Sequence, residues 1–226
     1  MDTQQHIVKS FDQEIVDLNA RISEMGNTCR DQLEKAIHSL NTSDFDLARS
    51  VIRGDADLNL LYAGLEDAAV RLLARRQPVA VDLRYLLSAL RVGAELERIG
   101  DYAASIAKRV MELTGSSQEE AIDLISQIAL ICREMLIDSV ESFVKIDVKR
   151  GMAVWHRDND VDRKFARMMT LLRQKMQENT EEIEDCTQLI FMGRCLERIG
   201  DHITNIAEDI FYIETGENYI TTVDRQ

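Results

Sequence analysis

Glutamate and aspartate stand four residues apart at Glu97/Asp101 and again at Glu197/Asp201. Aspartate and a second oxygen-bearing side chain keep the same spacing at Asp55/Asn59 and at Asp158/Asp162. Four residues is about one helical turn, so each pair projects from one helix face. Like charges so placed destabilise an isolated helix by about 0.2–0.5 kcal/mol, and a cation between them reverses that sign. Oxygen donors of this kind suit hard or borderline divalent cations such as Mg²⁺, Mn²⁺, Fe or Zn²⁺. Composition alone supplies about seven acid pairs at this spacing in a chain with 40 Asp and Glu among 226 residues. A single pair is therefore a solvated face by default, and repetition in register is what raises it to a candidate site. If the two faces oppose in each half, three or four carboxylates converge there, on one or more cations. Asn59 stands where the second half has Asp162, which removes one negative charge and predicts weaker cation affinity in the first half.

The elements that must position these residues are duplicated with them. The six residues Leu96–Asp101, LERIGD, recur at 196–201, an offset of 100. Upstream the offset is 103: Cys29-Arg30 matches Cys132-Arg133, Asp44 matches Asp147, and Asp55 matches Asp158. Such self-similarity marks an internal repeat. Apolar residues at steps of three and four (Ile7, Phe11, Ile15, Leu18, Ile22, Met25, Cys29, Leu33) predict a first helix over about 7–41. Ser43 or Asp44 is placed to cap a second helix, which the proline rule ends before Arg75-Arg76-Gln77-Pro78. Pro78 suits the first turn of a third helix running from about 79 to 113. Gly115 can take the left-handed helix-ending conformation, and Ser116 or Ser117 can cap a fourth helix. The second half predicts helices over about 118–145, from the cap Asp147 to about 176, and over about 180–214. The expected fold is all-α, two tandem and pseudo-symmetric three-helix bundles of six long helices, divided as 1–115 and 116–226. Gly100 and Gly200 lie between the paired acids, where glycine costs about 1 kcal/mol against alanine. Close helix approach and room for a ligand both explain that cost.

One proline and ten glycines favour long helices over strands or disorder. Aromatics are only 5%, so the core is aliphatic. A net charge of −13 disfavours nucleic acid and anionic membrane as direct partners, and permits cations or basic proteins. The first residues, MDTQQHIVKSFDQEIV, lack the basic-then-apolar pattern of a signal peptide, and no apolar run is long enough to span a bilayer. A cytoplasmic protein without membrane insertion is expected. The four cysteines form no CxxC pair and read as reduced, buried thiols. No ExxH pair occurs, against a ferritin-type di-iron oxidase, and His202 lies off the acidic face. No P-loop, GxSxG or GxGxxG stands in the chain. Trp155 reads as a packing residue, and Arg75-Arg76 with Arg84 as a solvated helix end or a contact for an acidic partner.

With these motifs in view the chain resembles the PhoU family, phosphate-specific transport system accessory proteins. LERIGDYAASIA and LERIGDHITNIAEDI look like that family's two signature helices, QPVAVDLR like the opening of its third helix, and DADLN and DNDVD like its second-helix acidic motifs. The resemblance implies two similar three-helix bundles, often in a homodimer, and multinuclear metal sites at Asp55, Glu97, Asp101, Asp158, Asp162, Glu197 and Asp201. Asn59 departs from the pattern in the first site, and Ser105 departs where the second copy has Asn205. It further implies a non-enzymatic negative regulator of the phosphate-starvation response, linking the phosphate ABC transporter's ATPase subunit to the sensor histidine kinase. The alternative is a carboxylate-bridged metalloenzyme, a hydrolase or oxidase, for which the sequence offers metal ligands but no evident general base.

Overall fold

Apolar residues at helical spacing need a partner surface, and in this chain each long helix finds two or more. The computed structural model describes the backbone of residues 2–115 and 118–219, with side chains from residue 12 onward. Six long helices account for most of it: α1 (Asp2–Thr42), α2 (Phe45–Arg76), α3 (Ala80–Val110), α4 (Glu119–Lys145), α5 (Val148–Glu178) and α6 (Ile183–Thr215). No strand occurs among the described residues. The fold is all-α and built as two three-helix units.

Within the first unit α1, α2 and α3 all pack on one another, and α4, α5 and α6 do the same in the second. The units meet along α3 against α6 and α1 against α4, while α2 and α5 lie on the outside. One continuous apolar cluster runs through both units, from Leu18 and Ile22 on α1 to Ile210 and Ile213 on α6. The pair α3–α6 is its spine, and this is why LERIGD sits there. Leu96, Ile99, Leu196 and Ile199 are fully buried, leaving the acids of the motif on the flank that faces α2 or α5. Each such Leu or Ile contributes about 1.5–3 kcal/mol of burial. The duplication extends to hydrogen bonds: the Cys29 thiol donates to the Leu96 carbonyl at 3.1 Å, and Cys132 to the Leu196 carbonyl at 3.5 Å. All four cysteines are free and buried.

Side-chain caps fix where the second helix of each unit begins. Asp44 accepts from the Leu47 N–H at 2.9 Å and Asp147 from the Arg150 N–H at 3.0 Å, each cap contributing about 1 kcal/mol. Several ends differ from expectation. α2 continues through Arg75 and Arg76, because the steric restriction before Pro78 falls on Gln77 alone, which ends the helix in the left-handed region at φ 48°. Pro78 lies outside α3, with Val79 as the extended cap residue. Gly115 has φ 96°, but it belongs to the connection, since α3 has already stopped at Val110. Residues 180–182 form a 3₁₀ turn held by the Asn179 side chain, which accepts from the Glu181 N–H at 3.1 Å, so α6 starts at Ile183. The caps expected at Ser116 and Ser117 fall outside the described residues.

Polar ties cross the seam between units. Ser88 and Arg91 of α3 both donate to Asp209 of α6 at 3.2 Å. Asp185 of α6 accepts from the Thr114 N–H at 2.7 Å. Arg75 and Arg76 are engaged inside the chain, clasping Glu14 of α1 at 3.5 and 2.8 Å. Arg84 donates to the Ile213 carbonyl at 3.0 Å, near the end of α6. Trp155 packs edge-on to His156 and Tyr219.

Candidate functional site

In each unit the acidic faces of the second and third helices come together. In the second unit Asp158 of α5 feels the charges of Asp162 on its own helix and of Asp201 and Glu197 on α6. Burial first, then these three carboxylates, push its carboxyl from 3.8 up to about 7. Burial also raises Glu197, with Asp201 and Asp162 adding to the rise and Arg194 and Arg198 opposing it. In the first unit burial raises Asp55, followed by the charge of Asp101. Glu97 is raised by burial and then by Asp101 and Asp55, against Arg98 and His202. Asp55, Glu97 and Asp101 are therefore brought together, as are Asp158, Asp162, Glu197 and Asp201. Asn59 is exposed on α2, one turn beyond Asp55, and it carries no charge with which to join the cluster.

The two glycines of LERIGD set the approach. A side chain at Gly200 would collide with Asp158 Oδ1 and touch Val161 in ordinary contact at 3.5 Å; one at Gly100 would collide with Leu58 and stand 3.1 Å from Gln32 Oε1. Close helix contact thus explains both glycines, and in the second unit the closest neighbour is itself a carboxylate oxygen.

Two oxygens in the second cluster lack any hydrogen-bond partner although buried: Asp158 Oδ1 and Glu197 Oε2. A buried carboxylate oxygen left unpaired costs about 1–3 kcal/mol or more. Four mutually repelling carboxylates, with Asp158 Oδ1 orphaned and Glu197 Oε2 met only by Arg198 Nε at 3.9 Å, fit the donor set of a hard or borderline divalent cation. The residues that would hold it are Asp158, Asp162, Glu197 and Asp201, and in the first unit Asp55, Glu97 and Asp101 with Asn59 at the margin. Among the described residues no three His, Cys, Asp or Glu side chains already stand in ligand geometry. The acids turn instead toward arginines of the motif and, for Glu197, toward Arg194 just ahead of it. Arg98 reaches Asp101 at 3.1 Å and Glu97 at 3.5 Å; Arg198 reaches Asp201 at 3.0 Å, and Arg194 reaches Glu197 at 2.6 Å. These arginines, absent from the sequence-based site, are exposed, at 61% for Arg98, 47% for Arg194 and 45% for Arg198. Exposed pairs of this kind are worth at most about 1 kcal/mol, so a cation can displace them. The signal for Arg98 and Arg198 was the identical Arg in both LERIGD copies; Arg194 has no counterpart in the first half, where Ala94 stands.

His202 is turned from the acids to Glu95, with Nδ1 and Oε2 2.5 Å apart, and Asn205 donates to the same oxygen at 3.2 Å. It is a tie between units, in keeping with its position off the acidic face.

Two tandem three-helix units on a shared α3–α6 spine, each presenting one acidic cluster, define a duplicated all-α protein whose two clusters are related but not identical. The family model described as the PhoU domain matches residues 22–110 and again 125–210, one match per cluster. The chain belongs to the PhoU family. It is 37% identical over 214 residues to the phosphate-specific transport system accessory protein PhoU homolog of Caulobacter vibrioides, covering 94% of this chain and 93% of that one. It is 31% identical over 219 residues to the phosphate-specific transport system accessory protein PhoU of Escherichia coli, covering 97% and 91%. The crystal structure of PhoU from Pseudomonas aeruginosa superposes with a TM-score of 0.87 at 31% identity, over 92% of this chain and all of that one. No helix among the described residues is long and apolar enough to cross a membrane.

Proposed function

We propose that this chain is a regulatory accessory protein of phosphate transport. It acts in the cytoplasm as a negative regulator of the phosphate-starvation response, without catalysing a reaction itself. In this reading it is an adaptor, as a homodimer, between the ATPase subunit of the phosphate ABC transporter and the phosphate sensor histidine kinase. It holds the kinase in the state that does not activate its response regulator when phosphate is plentiful, by binding that state more tightly than the other. The observation that carries the reading is the match over more than nine-tenths of the chain to proteins named phosphate-specific transport system accessory protein, with an acidic cluster inside each matched block. The metalloenzyme alternative draws no support from these relatives.

The acidic clusters enter this reading as sites for divalent or multinuclear Fe, Zn, Mn or Mg. A bound cation would supply positive charge where the carboxylates repel. Asp55 and Asp158 would tie α2 or α5 to the third helix of the unit, and the arginines would be released to the surface for a partner. Deletion of the chain is expected to switch on phosphate-responsive transcription in phosphate-rich medium. Transcription unchanged by deletion would refute the regulatory reading.

A further inference from the structure

We propose that the side-chain carboxamide of Gln32 on α1 is a donor to the first acidic cluster, so that this site draws oxygen from three helices. The inference rests on the cation reading of the clusters. Gln32 is 6% exposed, and neither its Oε1 nor its Nε2 has a hydrogen-bond partner. Leaving such an amide unpaired costs about 1–3 kcal/mol. Its two polar atoms stand against the backbone of both acidic helices. Nε2 lies 3.4 Å from the place of a Cβ on Gly54, the residue before Asp55, and Oε1 lies 3.1 Å from that place on Gly100, the residue before Asp101. Turning the amide over exchanges oxygen and nitrogen between these two positions, and either way an oxygen lies against a glycine that immediately precedes a cluster acid in the chain.

The second unit lacks the arrangement in a correlated way. The residue matching Gln32 is Met135, fully buried and apolar. The residue matching Gly54 is Arg157, whose guanidinium binds Glu134 and Asp138 on α4 at 2.5 and 3.4 Å. There the carboxylate Asp158 itself occupies the space over the LERIGD glycine, the space that Leu58 and Gln32 share in the first unit. Absence of a side chain at Gly54 and presence of an amide at Gln32 thus go together. Both fall in the half where Asn59 removes a carboxylate. The first site exchanges a charged donor on α2 for a neutral one on α1.

The test uses the full-length chain carrying Asp158→Asn and Asp201→Asn, which confines Mn²⁺ binding to the first unit, with calorimetric titration and metal-free melting as readouts. Gln32→Met, copying the second unit, is expected to weaken Mn²⁺ binding about tenfold or more. The metal-free protein should melt no lower than its parent, since an unpaired buried amide is removed. Gln32→Glu is expected to bind Mn²⁺ more tightly, and supplies the answer if Gln32→Met folds poorly. Mn²⁺ bound equally well by parent and variants would overturn the role of Gln32 while leaving the cation reading intact. A wild-type chain that binds no Mn²⁺ at either cluster would overturn both.

Discussion

Asp158→Asn isolates the electrostatic load that the second cluster carries without a cation. The aspartate titrates near 7 in the folded chain against an ordinary 3.8. Folded and unfolded carboxyls therefore differ most in protonation between about pH 4 and about pH 7. Because the folded value is raised, the folded state holds the proton longer. Stability is lost as pH climbs from about 4 to about 7 and stays lost beyond. The displacement from 3.8 to about 7 corresponds to about 4 kcal/mol at full value. The side chain is only half-buried, so screening by solvent brings this to about 1–2 kcal/mol. Asparagine keeps the shape and removes the charge. The metal-free variant is expected to melt about 2–8 °C above wild type near pH 8, at about 2–4 °C per kcal/mol for a chain of this size. Near pH 4.5, where the wild-type folded carboxyl is already protonated, the advantage should shrink to about a quarter. Added Mn²⁺ should reverse the order, raising wild type more than the variant. A variant melting no higher than wild type near pH 8, or by the same margin at both pH values, would refute the assignment of strain to Asp158.

Other substitutions probe the same frame. Arg91→Ala leaves Asp209, 7% exposed and pushed up by burial to about 6, without its guanidinium. It should cost about 1–3 kcal/mol near pH 8 and clearly less near pH 4.5, where Asp209 takes a proton, as read by thermal melting. Gly200→Ala drives a methyl into Asp158 Oδ1 and is expected to cost about 1–3 kcal/mol by denaturant melting, with loss of metal from the second unit. Metal analysis of protein purified without chelator should show a larger loss for Glu197→Ala than for Glu97→Ala, and an equal or larger loss for Glu97→Ala would overturn the ranking of the two sites. Asp147→Ala removes the cap on the Arg150 N–H and is expected to cost about 1 kcal/mol by chemical denaturation.

Helical periodicity, the Asp44 and Asp147 caps and the doubled acids were legible because each depends on residues a turn or two apart. The convergence of Asp158 with Glu197 and Asp201 was legible too, since duplication in register placed both faces on neighbouring helices. The features that escaped depend on side chains meeting across long stretches of chain. Gln32 is one polar residue among many on α1, and only its place between Gly54 and Gly100 reveals an unpaired amide. The rotamers that turn Arg98 and Arg198 back onto their own acids are not set by spacing. Nor is the pairing of His202 with Glu95 across the seam. The single core cluster joining the two units was likewise hidden, because two separate bundles and one six-helix array share the same pattern of apolar positions. The 3₁₀ turn at 180–182 arises from one Asn179 side-chain bond that competes with the α-helical start.

The adaptor role itself is tested most directly by quantitative co-purification from phosphate-replete cells. Tagged chain at native level is expected to retain the phosphate transporter's ATPase subunit and the sensor histidine kinase, and to release them in cells starved of phosphate. Neither protein retained above an untagged control in replete cells would contradict the account.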